Sequence, residues 1–122
     1  MDTLILSAAG IKGIYYIGVY MSLLEHNIIN SKTLKHIICC SSGCIFGLCI
    51  LLDYSIDFIY KITDGMDMDK FINYDDLIDV FSDNGLFTID KVENFYSLLI
   101  YHKFNVRDIT FNELYEKTNK EY

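Results

Sequence analysis

Proline and tryptophan are absent from this chain, and no repeat or low-complexity segment divides its 122 residues. A chain of this length without an internal linker is expected to fold as one domain. Clusters of lysine and arginine are also missing, because ten basic residues stand against 17 acidic ones, for a net charge of −7. Proteins that bind nucleic acids place such clusters against phosphates, so we exclude nucleic acid as a partner.

The sequence also lacks a long apolar run and a secretory leader. Its longest uninterrupted apolar run, Cys44 to Leu52, is far shorter than the about 20 residues that span a bilayer. Asp2 stands where a signal peptide carries basic residues. Neither a membrane-spanning helix nor export is therefore predicted.

Cysteine is concentrated in residues 39–49, with no C-x-x-C pair, which argues against a zinc site. We interpret the four cysteines as small, reduced and buried residues, which is typical of an intracellular protein. They are Cys39, Cys40, Cys44 and Cys49.

The first part of the chain has the pattern of an α/β unit. Short apolar runs at Thr3–Leu6 and Leu34–Cys40 predict strands. Residues 11–26 and Gly43–Leu52 predict helices that are largely buried. Strand, helix, strand and helix over residues 1–53 predict a parallel pair of strands, covered on both faces.

The rest of the chain, residues 54–122, is predicted to be mostly helical. Residues 53–94 hold eleven acidic residues against three lysines, which indicates a solvated helical face. Ser55 is positioned to cap one helix, and residues 68–81 have helical apolar spacing. Asp90 with Glu93, and Thr110 with Glu113, fit capping boxes at the starts of two further helices.

A serine-containing turn between the second strand and the second helix is the first candidate site. The segment Cys39-Cys40-Ser41-Ser42-Gly43 partly fits G-x-S-x-G, the nucleophile elbow, with Ser41 as the nucleophile. Ser42 fits worse, because it would require glycine at positions 40 and 44. When the segment is taken alone, an ordinary turn of small residues explains it better than an elbow, because only one of the two glycines is present.

The loop SAAGIKG, residues 7–13, is the second candidate, because a loop that opens a helix presents backbone N–H groups to anions. A dinucleotide phosphate is one such anion, but Ala8 replaces the first glycine and no acidic residue ends the second strand. The alternative anion is the oxyanion of an acyl-transfer intermediate. Parallel neighbouring strands would bring this loop and Ser41 to one edge of the sheet.

The order and spacing of these two turns resemble the N-terminal part of the patatin-like phospholipase family. That family has a G-G-G-x-[KR]-G loop before a buried helix, then the elbow; here the loop is Ala8-Ala9-Gly10-Ile11-Lys12-Gly13. Residues 51–62, 84–95 and 108–122 resemble later parts of the family, so the resemblance covers essentially the whole chain. It implies an incomplete patatin-like fold over residues 1–122.

The resemblance implies a lipid acyl hydrolase with a serine–aspartate dyad. Ser41 would be the nucleophile, and amides of the loop Ala8–Gly10 would hold the oxyanion, with no metal or cofactor. Lys12 matches the basic position of the family's loop and would lie near an anionic head group, although an ordinary surface lysine is the simpler explanation of this residue. The implied partner is a lipid or membrane surface, with a cytoplasmic location and peripheral contact to membranes.

Several positions depart from the family's pattern. Ala8, Ala9 and Cys39 replace glycines, and alanine at a position with positive φ costs about 1–2 kcal/mol. The family's aspartate lies in a D-G-[GA] loop beyond the region that this chain matches. Asp64-Gly65 and Asp83-Asn84-Gly85 are read as ordinary turns.

None of the three histidines is expected to serve as a base, because each is placed at the wrong end of its element; they are His26, His36 and His102. We therefore predict a truncated patatin-like lipid acyl hydrolase that lacks a credible general base or, alternatively, a catalytically dead lipid- or partner-binding remnant of that fold. An uncovered sheet edge would favour self-association.

Overall fold

The fold is α/β and is built on two parallel strands. A computed structural model describes residues 1–30, 32–64 and 89–122 of the chain. Strand β1 spans Thr3–Leu6, and strand β2 spans His36–Cys39. They pair in parallel, with Thr3 opposite His36 and Leu6 opposite Cys39. The predicted first strand and the parallel pairing are confirmed, and the second strand is shorter than predicted.

Each strand is followed by a helix. A 3₁₀ helix over Gly10–Ile14 leads into helix α1, Tyr15–Glu25, where the sequence predicted one continuous helix. Helix α2 spans Ser42–Leu51 and begins one residue before its predicted start. The βαβα order predicted for residues 1–53 is confirmed.

Helix α2 forms the centre of the core, because it is apolar on every side. Cys49 is fully buried, and Leu51 and Leu52 are each only 1% exposed. Burying one such aliphatic side chain stabilises the fold by about 1.5–3 kcal/mol. Further core side chains come from both strands and from the segment before β2: Leu4, Leu6, Ile29, Leu34 and Ile37.

One face of the sheet is open in the part of the chain that the structure describes, in contrast to the prediction that both faces are covered. Ile5 is 70% exposed and its partner Ile38 is 57% exposed. Side chains alternate between the two faces of a strand. Leu4 and Ile37 therefore point to the helical side, and Ile5 and Ile38 point away from it.

Helix α1 is also less buried than predicted. Ile17 and Tyr20 face the core, whereas Tyr15 is 72% exposed and Val19 is 53% exposed. The apolar residues of this helix extend around most of its circumference, but only one stripe contacts the core among the described residues.

The helix starts predicted for the second half of the chain agree with the structure to different degrees. Ser55 caps helix α3, Ile56–Asp64, because its Oγ accepts from the Phe58 amide at 3.2 Å. Helix α4 spans Ile89–Phe104, so Asp90 lies inside its first turn and not at the predicted cap. An acidic residue there still interacts favourably with the helix dipole. The helix predicted over residues 68–81 lies outside the described residues.

The last predicted helix start is confirmed. Helix α5 spans Phe111–Thr118, and its capping box pairs Thr110 with Glu113 in both directions. Glu121 then lies beside β2, where its amide donates to the Lys35 carbonyl and its carbonyl accepts from the Ile37 amide. This short parallel pairing extends the edge of β2.

The described residues group into two compact units. One comprises Met1–Tyr60 with Ile109–Tyr122, and the other is Lys61–Asp108. Both strands, the segment 7–13 and the turn at Ser41 lie in the first unit. In the described ranges, no helix has the length and apolarity needed to cross a membrane.

Candidate functional site

Ser41 lies on the turn that joins β2 to α2. Its backbone adopts φ +53° and ψ −128°, and the residue is exposed. This conformation is sparsely populated by residues other than glycine and costs about 1–3 kcal/mol, so it persists only where neighbouring contacts enforce it. The residue predicted to be the nucleophile therefore stands on a sharp, strained turn.

Gly43 allows α2 to begin in contact with the end of β1. A Cβ atom at this position would lie 2.6 Å from the Leu6 carbonyl oxygen and 2.8 Å from the Ser7 carbonyl oxygen. Both neighbours are backbone atoms, so they cannot move aside as a side chain can. Only glycine lets the first turn of α2 approach this closely.

A side-chain hydrogen bond joins the segment after β1 to the same turn. The Ala9 amide donates to the Oγ of Ser42 at 3.2 Å. Gly13 packs here as well, since a Cβ there would lie 3.0 Å from the Phe46 ring and 3.2 Å from the Ser42 Oγ. The two segments predicted to form one site thus meet at Ser42.

The remaining amides near this contact are candidates for binding an anion. Within the described residues, the amides of Gly10, Ile11 and Ser42 donate to no protein acceptor. Ala9 differs, because its amide is already bonded to Ser42. Gly10 has φ +54° and open space around its α-carbon. Lys12 is exposed, and its amide closes the 3₁₀ turn on the Ala9 carbonyl at 3.0 Å.

No described carboxylate or imidazole is bonded to Ser41. In residues 1–30, 32–64 and 89–122, no hydrogen bond joins its side chain to a carboxylate or an imidazole. The Nδ1 of His26 lies 2.9 Å from the Ser22 carbonyl oxygen at the end of α1. His36 begins β2 and contacts Glu121 at 2.9 Å. His102 lies on α4, in the other compact unit.

The acidic residues that stand next to glycines in the sequence provide no described partner for Ser41 either. Asp64 is the exposed last residue of α3. Asp83-Asn84-Gly85 lies outside the described residues. The described part of the chain also contains no cluster of histidine, cysteine and acidic side chains that could hold a metal ion.

Comparison with known proteins decides the family. The family described as patatin-like phospholipase matches residues 4–119, which is nearly the whole chain. The chain belongs to the patatin-like phospholipase family. It is also similar to "Uncharacterized protein R571" of Acanthamoeba polyphaga mimivirus, with 29% identity over 116 residues. That match covers 93% of this chain but only 39% of the mimivirus protein. No solved structure matches the chain significantly.

Two departures from the patatin-like loop cause no backbone strain. Among the described residues other than glycine, positive φ occurs at five positions, and neither Ala8 nor Ala9 is one of them. Ala9 has φ −136°. The glycine that does adopt positive φ, Gly10, is present. The two alanines therefore fit the loop without the cost of about 1–2 kcal/mol that alanine has at a position with positive φ.

The third departure, Cys39, is accommodated by a glycine on the facing helix. A Cβ atom at Gly47 would lie 3.3 Å from the Sγ of Cys39 and 3.2 Å from the Cγ2 of Ile37. A larger residue on β2 is thus matched by the smallest residue on α2. The missing strand glycine does not keep the two elements apart.

Sequence reasoning missed Tyr16, which fixes the start of the loop. Its hydroxyl donates to the Ser7 carbonyl oxygen at 2.8 Å and lies 3.0 Å from the Ser7 Oγ. The Tyr16 ring packs edge-on against Phe46 of α2, with 5.9 Å between ring centroids. A tyrosine in the first turn of the helix after the loop was the available signal, but nothing in its spacing indicated this partner.

The four cysteines are not all buried, so that prediction is wrong. Cys49 is buried and Cys40 is exposed, while Cys39 and Cys44 are intermediate. Cys39 is the last residue of β2 and its Sγ faces Gly47 of α2, whereas Cys40 lies beyond the end of the strand, on the turn before Ser41. Burial raises the pKa of the Cys49 thiol to about 12.

Proposed function

We propose that this chain carries the nucleophile and the oxyanion loop of a patatin-like lipid acyl hydrolase. The observation that supports this most is the bond of the Ala9 amide to Ser42, which ties the loop to the turn of Ser41. Membership of the family supports the assignment of hydrolase chemistry to this pair of turns. The substrate class is a fatty acyl ester of a phospholipid or neutral lipid.

In this proposal, the Oγ of Ser41 attacks the ester carbonyl carbon, and the carbonyl oxygen becomes the oxyanion. The amides of Gly10, Ile11 and Ser42 are available to donate to it, since no protein acceptor occupies them. Collapse of the intermediate expels the alcohol and leaves an acyl-serine, which water then hydrolyses. In the family, the proton acceptor is an aspartate of the D-G-[GA] loop, which lies beyond the region that this chain matches.

Lys12 supports a preference for anionic lipids. Its side chain is exposed two residues after Gly10, beside the exposed Ile11. A cation next to an apolar side chain suits the boundary between a phospholipid head group and its acyl chains. We assign Lys12 to the head group and not to the reacting atoms.

A serine-directed fluorophosphonate probe tests the proposal. We expect the folded chain to be labelled at Ser41, and the label to be lost in Ser41→Ala. Ser22→Ala is the matched control, because Ser22 is an exposed serine on α1, remote from the turn in sequence. Equal labelling of wild type and Ser41→Ala, mapped by mass spectrometry, contradicts the proposal.

A second candidate is a lipid-binding remnant without turnover. It is favoured by one observation: no described carboxylate or imidazole is bonded to Ser41. Co-sedimentation with vesicles of anionic phospholipid distinguishes the two, alone and combined with the probe. Binding that survives Ser41→Ala without any probe labelling of wild type supports the remnant.

Self-association through the sheet belongs to the same proposal. Ile5 and Ile38 present an apolar pair on the open face of the two strands. Exposed apolar sheet surface favours contact with another copy. Sedimentation velocity should give a larger species for wild type than for Ile38→Thr, and identical monomers would contradict this part.

A further inference from the structure

Residues 119–122 run beside the strand that leads to Ser41. Helix α5 ends at Asn119, which adopts the left-handed conformation with φ +56° and ψ +32°. Its amide donates to the Tyr115 carbonyl oxygen at 2.6 Å. Asparagine tolerates this conformation better than most residues and is used where helices end. The chain therefore turns sharply at the end of α5 and continues along β2.

Glu121 fixes this segment to β2 through the backbone. Its amide donates to the Lys35 carbonyl oxygen at 2.7 Å, and its carbonyl oxygen accepts from the Ile37 amide at 2.9 Å. The Glu121 carboxylate also lies 2.9 Å from the Nδ1 of His36. The two side chains of that pair are 68% and 40% exposed, and exposed pairs contribute little to stability. The attachment to β2 therefore depends mainly on the two backbone bonds.

Tyr122 reaches from the same segment to α2. Its hydroxyl donates to the Cys44 carbonyl oxygen at 2.6 Å, in the first turn of the helix. Its ring packs against Gly47, where an added Cβ would lie 3.1 Å from the Cε2 of Tyr122. Two consecutive residues, Glu121 and Tyr122, thus bond the two elements that the turn at Ser41 joins.

The turn at Ser41 is closed by two backbone hydrogen bonds. The Gly43 amide donates to the Cys40 carbonyl oxygen at 3.0 Å. The Cys44 amide donates to the Ser41 carbonyl oxygen at 2.9 Å. A backbone conformation such as φ +53° and ψ −128° persists only where surrounding contacts enforce it. Tyr122 bonds the carbonyl of the same Cys44, so its hydroxyl restrains a residue that closes the strained turn.

We propose that Tyr122 is a positioning residue for Ser41 and acts through the first turn of α2. Because Glu121 anchors the segment to β2, the Tyr122 hydroxyl holds Cys44 in place relative to the strand. The hydroxyl does not bond the reacting atoms, and its effect on them passes through the backbone of Ser41. The effect on reactivity rests on the proposed function, whereas the restraint on the turn does not.

Amide hydrogen exchange in Tyr122→Phe tests the restraint on the turn. The variant keeps the aromatic ring and removes only the hydroxyl. A typical hydrogen bond shifts an equilibrium by about two- to tenfold, so the Gly43 and Cys44 amides should exchange about two- to tenfold faster. The Leu52 amide, which donates to the Leu48 carbonyl oxygen at the other end of α2, should keep its rate.

Tyr115→Phe is the matched control, because it removes an exposed hydroxyl from the neighbouring helix α5. It should leave the three amide rates unchanged. Unchanged exchange of Gly43 and Cys44 in Tyr122→Phe overturns the inference. An equal acceleration at Leu52 also overturns it, because that result reports opening of the whole helix and not of the turn.

The fluorophosphonate probe tests the effect on reactivity, at a temperature where wild type and variant are both fully folded. In Tyr122→Phe, the maximal rate of labelling at Ser41 should fall about two- to tenfold, while the probe concentration that gives half of this rate stays the same. Equal maximal rates, with the change in exchange present, overturn the positioning role. If wild type is not labelled at all, the proposed function fails, and the exchange rates still decide whether Tyr122 restrains the turn.

Discussion

The Ala9 amide donates a hydrogen bond of 3.2 Å to the Oγ of Ser42, a residue 33 positions further along the chain. The donor belongs to the loop after β1, and the acceptor begins α2. This bond removes one amide from the set that could hold an oxyanion, and it fixes the position of the amides that follow. Ser42 is therefore a positioning residue in the proposed site, next to the proposed nucleophile.

Replacing Ser42 by alanine tests this role. Loss of a neutral hydrogen bond should lower the free energy of unfolding by about 0.5–1.5 kcal/mol. The labelling rate of Ser41 by the fluorophosphonate probe should fall by about tenfold, because small displacements of reacting groups are costly. Urea unfolding and timed labelling measure the two effects, with Ser22→Ala as the control. An unchanged labelling rate in a destabilised variant would assign Ser42 a structural role alone.

The four cysteines should react with a thiol reagent in the order of their exposure. Cys40 is exposed and should react first with N-ethylmaleimide in the native protein. Cys49 is fully buried, and burial raises the pKa of its thiol to about 12. Because a raised pKa leaves little thiolate at mildly alkaline pH, Cys49 should react only after unfolding in urea.

Mass spectrometry of quenched samples measures this order. Raising the pH increases the thiolate fraction of a group about tenfold per unit below its pKa, so the modification rate of unfolded chain should rise accordingly. Native Cys49 should remain unmodified at the same pH values, since access limits it. Equal rates for Cys40 and Cys49 in folded protein would refute the placement of Cys49 in the core.

The βαβα unit could be predicted because each of its elements has a local signal. The apolar run Thr3–Leu6 is the strand observed, and the parallel pairing follows from the helix between the strands. The turn at Ser41 was also found, since two serines and a glycine interrupt a continuous apolar pattern. The capping box of Thr110 and Glu113 could be predicted because its whole pattern lies within four consecutive residues.

The contacts across the site could not be predicted in the same way. Neither the bond of Ala9 to Ser42 nor that of Tyr16 to Ser7 has a sequence pattern, because each depends on how α2 and α1 approach the loop. The burial errors have a related cause. Apolarity alone predicted a sheet covered on both faces and a largely buried first helix. Burial requires a neighbour, and among the described residues Ile38 of the sheet and Tyr15 of the helix stay exposed.

Protonation of Glu113 should weaken helix α5 at acidic pH. The Thr110 backbone N–H and the Thr110 hydroxyl both donate hydrogen bonds to the Glu113 carboxylate. These bonds, the backbone one most of all, hold the pKa of that carboxyl below its ordinary value of 4.5. A carboxyl with a lowered folded pKa stabilises the protein at neutral pH. That contribution is lost as the pH falls from about 4.5, the ordinary pKa, through the lower pKa that the group has in the folded protein.

Glu113→Gln checks this expectation, because glutamine does not titrate. The difference in Tm between wild type and Glu113→Gln should be largest at neutral pH and should shrink well below pH 4.5. Glu116→Gln is the matched control on the same helix, since the bond that the described residues make to the Glu116 carboxylate comes from the Asn112 side chain, at 3.2 Å, and not from the backbone. A difference for Glu113→Gln that is constant with pH would contradict the assignment.

Adding one methyl group at two glycines should have opposite effects on stability. In Gly43→Ala, the new Cβ would lie 2.6 Å from the Leu6 carbonyl oxygen, and backbone must shift to relieve the overlap. We expect a loss of about 1–3 kcal/mol in the free energy of unfolding, together with slower labelling of Ser41. Gly18 lies inside α1 with nothing within 4 Å of a Cβ, so Gly18→Ala should gain about 0.5–1 kcal/mol. Urea denaturation of both variants measures the contrast, and a stable, rapidly labelled Gly43→Ala would show that close contact between β1 and α2 is not required for the proposed site.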